Sequence, residues 1–167
     1  MTGTGDRFPA EVATALRRAG WQPGRWDIAT AEVWADRLHV HRSPGGHPHT
    51  VLPAAVEVWA EFGSLTVEPA GPSGRDIAPC AFTVDPTLCL HLARTLSDLG
   101  RALGTALAPL GEETASGAAL AIDADGRVYA VDATGDWYLG ATFDDAAITL
   151  LTGTRPARLT APEQPHE

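Results

Sequence analysis

Residues 52–67, LPAAVEVWAEFGSLTV, decide the fold, because their hydrophobic period changes midway. Leu52, Val56, Trp59 and Ala60 recur three or four apart, the spacing of one buried helical face. Pro53 suits a first helical turn, where a missing N–H costs nothing. Gly63 follows Phe62 where a left-handed C-terminal cap favours glycine, and Leu65 and Val67 then alternate with Thr66 and Glu68 as in a half-buried strand. A helix that ends, turns and runs into a strand predicts an α+β layer, with Trp59 and Phe62 the large residues best placed to fill it.

Toward the N-terminus, Phe8, Val12, Ala15, Leu16 and Ala19 form one helical face closed by Gly20. The turn after it, GWQPGR at residues 20–25, offers Trp21 as a large apolar body to bury. A second helix is expected over Thr30 to Leu38, with Thr30 as N-cap, Val33 and Trp34 inward and Arg37 outward. Toward the C-terminus, Ile77 to Val84 reads as a short strand interrupted by Pro79. Leu88 to Gly104 is helical in period, with Leu88, Leu92, Leu96, Leu99 and Leu103 on one side, and Ala106 to Gly111 is extended. Ala118 to Val131 is the clearest hairpin, with Gly126 in the positive-φ position, and Trp137 to Gly140 adds a third strand. A last helix runs from about Phe143 to Leu151 and ends at Gly153. Residues 1–6 are expected to be disordered, 7–154 to form a single domain, and 155–167 to be a flexible proline-rich tail.

The 167 residues are 44% hydrophobic and 20% charged, ordinary for a soluble globular domain of this length, and no apolar run approaches the roughly 18 residues of a membrane span. No secretory signal is visible and two cysteines give no disulfide framework, so a cytoplasmic home is expected. All 12 basic residues are arginine and asparagine is absent, a bias of high-GC, bacterial coding. The net charge of -9 is uneven: residues 1–83 carry 9 acidic and 7 basic side chains, residues 84–167 carry 12 and 5. Such a surface repels a phosphate backbone and attracts a basic protein, so direct nucleic-acid binding is disfavoured.

Candidate chemistry is thin. His39, His41, His47 and His49 form two His-x-His pairs around a Ser-Pro-Gly-Gly turn, and alternate strand positions share a face, so four imidazoles could ligate zinc or nickel. The glycine and proline content favours a solvated loop without metal. Cys89 and His91 point in different directions on a helix and read as packing. Asp123 and Asp125 lack the glutamate that closes a calcium loop and read as turn formers. No phosphate-binding GxxxxGK is possible without lysine.

Several segments in chain order resemble the third family of the SUKH superfamily of bacterial immunity proteins. Residues 19–25 (AGWQPGR) resemble its AGWxPGR motif, residues 61–65 (EFGSL) its EFGGL, and residues 82–86 (FTVDP) its F-x-hydrophobic-D-P. Residues 107–112 (LAPLGE) are similar to its LxPhGE, h being apolar, residues 120–129 to its LxID..GxVY hairpin, and residues 150–153 to its closing helix. Ser64 stands where the family pattern has the second glycine, and the histidine loop is longer. The resemblance implies a single SUKH-like α+β domain, helices packed on a mostly antiparallel sheet, with Trp21, Gly24, Arg25, Trp59, Phe62, Gly63 and Leu65 as structural positions. It also implies a non-catalytic protein, without cofactor, that neutralises a cognate toxin domain such as a nuclease or nucleic-acid deaminase by stoichiometric binding. A small-ligand or regulatory adaptor on the same fold is the alternative, and a metal-dependent enzyme using the histidine loop the third reading.

Between Glu112 and Asp145 lie eight carboxylates, Glu112, Glu113, Asp123, Asp125, Asp132, Asp136, Asp144 and Asp145, against the single base Arg127. A nucleic-acid-processing toxin is basic where its substrate lies. The first six, with Trp137 and Tyr138 as apolar anchors, are therefore the expected toxin-binding residues.

Overall fold

The computed structural model describes residues 7–43 and 45–159. Helix α1 (Ala10–Ala19) is closed by Gly20 at φ 112, and α2 (Ile28–Val40) leads through the histidine stretch to α3 (Pro53–Phe62). After α3 come the short strands β1 (Thr66–Val67) and β2 (Phe82–Val84), then a 3₁₀ segment (Pro86–Leu92) that runs into α4 (Ala93–Leu103). Four longer strands follow: β3 (Leu107–Glu113), β4 (Ala119–Asp123), β5 (Val128–Asp132) and β6 (Gly135–Gly140). Helix α5 (Phe143–Thr152) and strand β7 (Ala157–Arg158) complete the described chain. Among the described residues the seven strands form one antiparallel sheet in chain order, so every connection is between neighbours.

Alternation along the strands gives the sheet two faces. One carries Val67, Phe82, Val84, Leu110, Leu120, Ile122 and Val128 into the main core, built with Val12 and Leu16 of α1, Trp59 and Phe62 of α3, and Phe143 and Leu151 of α5. The other carries Leu107, Ala121 and Tyr129 against Leu96, with Leu92, Leu99 and Leu103 partly buried beside them. Trp59 is fully buried and its indole N–H donates to the Pro109 carbonyl at 3.0 Å, so one side chain ties α3 to the sheet.

The structure corrects several local expectations. Asp27, not Thr30, caps α2: its carboxylate accepts from the Thr30 N–H at 3.1 Å, and two carboxylate oxygens make it the stronger cap. Val33, expected inward, is 64% exposed on the outer side of that helix. Pairing between residues 77 and 84 begins only at Phe82, past Pro79, which cannot donate to a ladder. The 88–104 helix is 3₁₀ for its first turns. At its N-terminal end, the region 155–167 does not fray: Ala157 and Arg158 pair with Tyr138 and Trp137 as β7, while residues 160–167 and 1–6 lie outside the described residues.

Gly63 is also not the left-handed residue of the α3–β1 joint. It sits at φ -56 and ψ 144, and a Cβ there would meet the Trp59 carbonyl and come within 2.8 Å of the Trp34 ring, so close approach demands the glycine. The positive φ, 68°, falls on Ser64 instead.

Candidate functional site

The AGWxPGR-like segment resolves into intramolecular contacts. The Trp21 indole donates to the Glu61 carboxylate at 3.0 Å, and the ring, 4% exposed, meets Phe8 edge-on and stacks parallel to Phe62. The Arg25 guanidinium donates to the carbonyls of Glu61 and Gly63 at 2.7 and 2.9 Å, satisfying oxygens that the end of α3 leaves without helical partners. Gly24 takes φ 88, which sets Arg25 on that path. Arg7 donates to Glu61 through Nη1 and Nη2 and to Asp144 through Nε and Nη2, tying the chain before α1 to α3 and α5. Those hydrogen bonds, to Asp144 first and then Glu61, hold its guanidinium firmly charged. Asp144 therefore has its charge matched within the chain. Arg7 did not stand out in the sequence, and Glu61 did so only as the first residue of the EFGSL stretch, since an ion-pair hub has no spacing rule.

The expected toxin-binding residues separate into distinct environments. Asp123 is fully buried: it accepts from the N–H groups of Asp125 and Arg127, from the Arg127 side chain at 2.9 Å, and from the Tyr129 hydroxyl at 3.0 Å. Burial alone would raise its pKa, yet these donors together outweigh burial and hold the carboxylate below its ordinary value. It organises the β4–β5 turn, with its carboxylate buried and bonded within the chain, unlike the exposed contact expected of it. Asp125 is exposed at the turn tip and pairs with Arg127 at 2.9 Å. Strand register sends Glu112, Asp136 and Tyr138 to the α4 side of the sheet, where Tyr138 meets Tyr129 with ring centroids 5.9 Å apart. Glu113, Asp132 and Trp137 go to the α5 side.

Those three residues meet at a cavity of about 300 Å³. Trp137 and Leu139 of β6, Leu150 of α5, Ile77, Cys80 and Arg155 are among the residues that line it. Burial pushes the Glu113 carboxyl up; hydrogen bonds from Ser116 and Cys80 oppose that, and the nearby Asp132 charge adds to it. Asp132 is held low, first by the Thr134 hydroxyl at 2.6 Å and also by the N–H groups of Thr134 and Gly135, in the β5–β6 turn. Among the described residues the ion pairs include neither Glu113 nor Asp132. Burial keeps both thiols protonated, Cys80 pushed up to about 11 and Cys89 to about 12.

The histidines do not converge. His39 is exposed at the end of α2, while His49 is 7% exposed and donates through Nε2 to the Leu90 carbonyl at 2.8 Å, docking this loop on the 3₁₀ segment. Burial lowers its pKa. The His41 and His49 rings lie 5.6 Å apart. Among the described residues no group of three His, Cys, Asp or Glu side chains is arranged to hold a metal ion.

Among the described residues, five helices and a seven-strand antiparallel sheet in chain order define an α+β domain. The SUKH-3 immunity protein family model matches residues 8–153, and the chain belongs to that family. Its role is that of an immunity protein. No curated protein and no solved structure matches the chain. No helix among the described residues is long and apolar enough to cross a membrane.

Proposed function

We propose that the protein neutralises a basic, nucleic-acid-processing toxin domain, a nuclease or deaminase, by stoichiometric non-catalytic binding at the cavity end of its sheet. The observation that carries this reading is the meeting of Trp137, Glu113 and Asp132 at an open cavity, the two carboxylates without cationic partners among the described residues. By contrast, the charges of Arg7, Glu61 and Asp144 are matched to one another within the chain. Long-range attraction to the acidic half raises the encounter rate by up to about a thousandfold at low salt, and a desolvated anchor within an interface of roughly 1,600 Å² gives the complex its lifetime. Two free cysteines and a composition with arginine as its only strong base support a reducing, bacterial cytoplasm as the setting. The two thiols are held protonated, which supports inhibition by occupancy over covalent chemistry.

The test is to sequence the genes flanking this one and measure binding to a toxin domain found there, across a salt series, with Trp137→Ala and Tyr138→Ala compared. Affinity that falls with salt, and falls further for Trp137→Ala than for Tyr138→Ala, is the expected result. The reverse order places the interface on the α4 side of the sheet. Salt-independent affinity, unchanged in both variants, places it away from the acidic half. A cavity of about 300 Å³ also favours a second reading, a small-ligand adaptor, which a neighbouring gene of another kind would support.

A further inference from the structure

The geometry points to the cavity beneath the end of α5 as a socket for one basic side chain, lysine or arginine, presented by the partner; this rests on the toxin-binding reading above. At about 300 Å³ it lies at the bottom of the range of small-molecule sites, ample for a single extended side chain. Its composition suits an aliphatic stem with a cationic head. Ile77, Leu139 and Leu150 supply apolar wall, Trp137 an indole face, and Glu113 and Asp132 two carboxylates with no cationic partner among the described residues. A half-buried carboxylate facing apolar walls is poorly solvated, and a guanidinium or ammonium entering beside it restores what water no longer provides. The protein already uses this indole as a cation platform, since the Arg158 guanidinium lies 5.6 Å from the Trp137 ring centre, outside the cavity lining.

Arg155 lines the same cavity and is exposed, its backbone N–H held by Asp76 at 2.9 Å. Two carboxylates against one guanidinium leave a net negative cavity, and they make Arg155 a competitor for the same acids. This sets the socket apart from an anion site, in which Arg155 would be the attracting group.

The first probe is capped arginine (N-acetyl-arginine N-methylamide), with capped norleucine as control, titrated into the full chain while the Trp137 indole N–H is followed by NMR. Saturable shifts with capped arginine alone are expected, weakened about tenfold in Glu113→Gln and in Asp132→Asn, unchanged in Glu57→Gln at an exposed position of α3, and strengthened in Arg155→Ala. Thermal melts establish that each variant is folded. No saturable shift, equal response to norleucine, or weakening in Arg155→Ala would overturn the socket. The second probe is the toxin domain from the neighbouring gene, for which Glu113→Gln should speed dissociation about tenfold. Tight toxin binding with unchanged dissociation sinks the socket and leaves the immunity reading standing. Capped arginine that enters a protein indifferent to the toxin instead removes the partner.

Discussion

The joint around Trp21, Arg25 and Glu61 and the cavity around Trp137, Glu113 and Asp132 are built from the same kinds of residue and differ in whether the chain completes them. At the joint, the indole and guanidinium donors named above end on oxygens of α3 and the turn after it. At the cavity, a half-buried tryptophan stands beside carboxylates that no cation of the described chain pairs with. The contrast teaches that a recognisable motif can mark where a fold is locked, while the cavity's carboxylates carry no such motif and are left without a cation from the described chain.

The sharpest way to break that contrast is at the tryptophans. Trp59→Ala removes a fully buried ring and its hydrogen bond to Pro109, and Trp21→Ala removes the centre of the joint; each is expected to cost about 3 to 5 kcal/mol in denaturant melts. Trp137→Ala should cost clearly less stability and show its effect in toxin affinity. Equal losses at Trp59 and Trp137 would make both rings core and dissolve the distinction.

Much of the frame was legible because it rests on short-range signals. The 52–67 change of period, the hairpin at Gly126 and the caps at Gly20 and Gly153 each follow from residues within a few positions of one another. The site was legible only as composition. Alternation along β3 and β6 sends Glu112 and Glu113, and Trp137 and Tyr138, to opposite faces, so a run of acids in sequence does not become one patch in space. Arg7 escaped notice because its partners, Glu61 and Asp144, lie 54 and 137 residues away.

Asp123 tests the comparison from inside the acidic half, because it is a carboxylate that belongs with the locked region. Its pKa in the folded state is held below the unfolded value of about 3.9. A depressed carboxylate stabilises the fold above the unfolded pKa, and that contribution is lost as pH falls through the folded one. Asp123→Asn should therefore cost about 2 to 3 kcal/mol near neutrality, leaving Arg127 and Tyr129 with a weaker acceptor, and the penalty should shrink in melts taken at progressively lower pH below about 4. A penalty that is constant from pH 7 to pH 2 would mean the lost contact is geometric and not charge-dependent.

The smallest expected effect sharpens the comparison at the joint itself. Ser64 carries the positive φ of 68° immediately after Gly63, in an exposed position, and its N–H is fixed to the Val84 carbonyl at 2.8 Å. An L-residue with a side chain pays roughly 1 kcal/mol or more to stand in the left-handed region, a cost glycine does not carry. Against that gain, glycine makes the unfolded chain more flexible, which returns part of the difference. Ser64→Gly is therefore expected to stabilise the protein by about 0.5 kcal/mol, read as a rise in the urea midpoint at unchanged slope. Gly63→Ala, one residue earlier, should do the opposite and by far more, because its Cβ would press on the Trp59 carbonyl and the Trp34 ring. If Ser64→Gly instead destabilises, the serine is satisfying something at the surface that the backbone geometry does not reveal, and the joint is less completely closed by its own chain than Trp21, Arg25 and Glu61 make it.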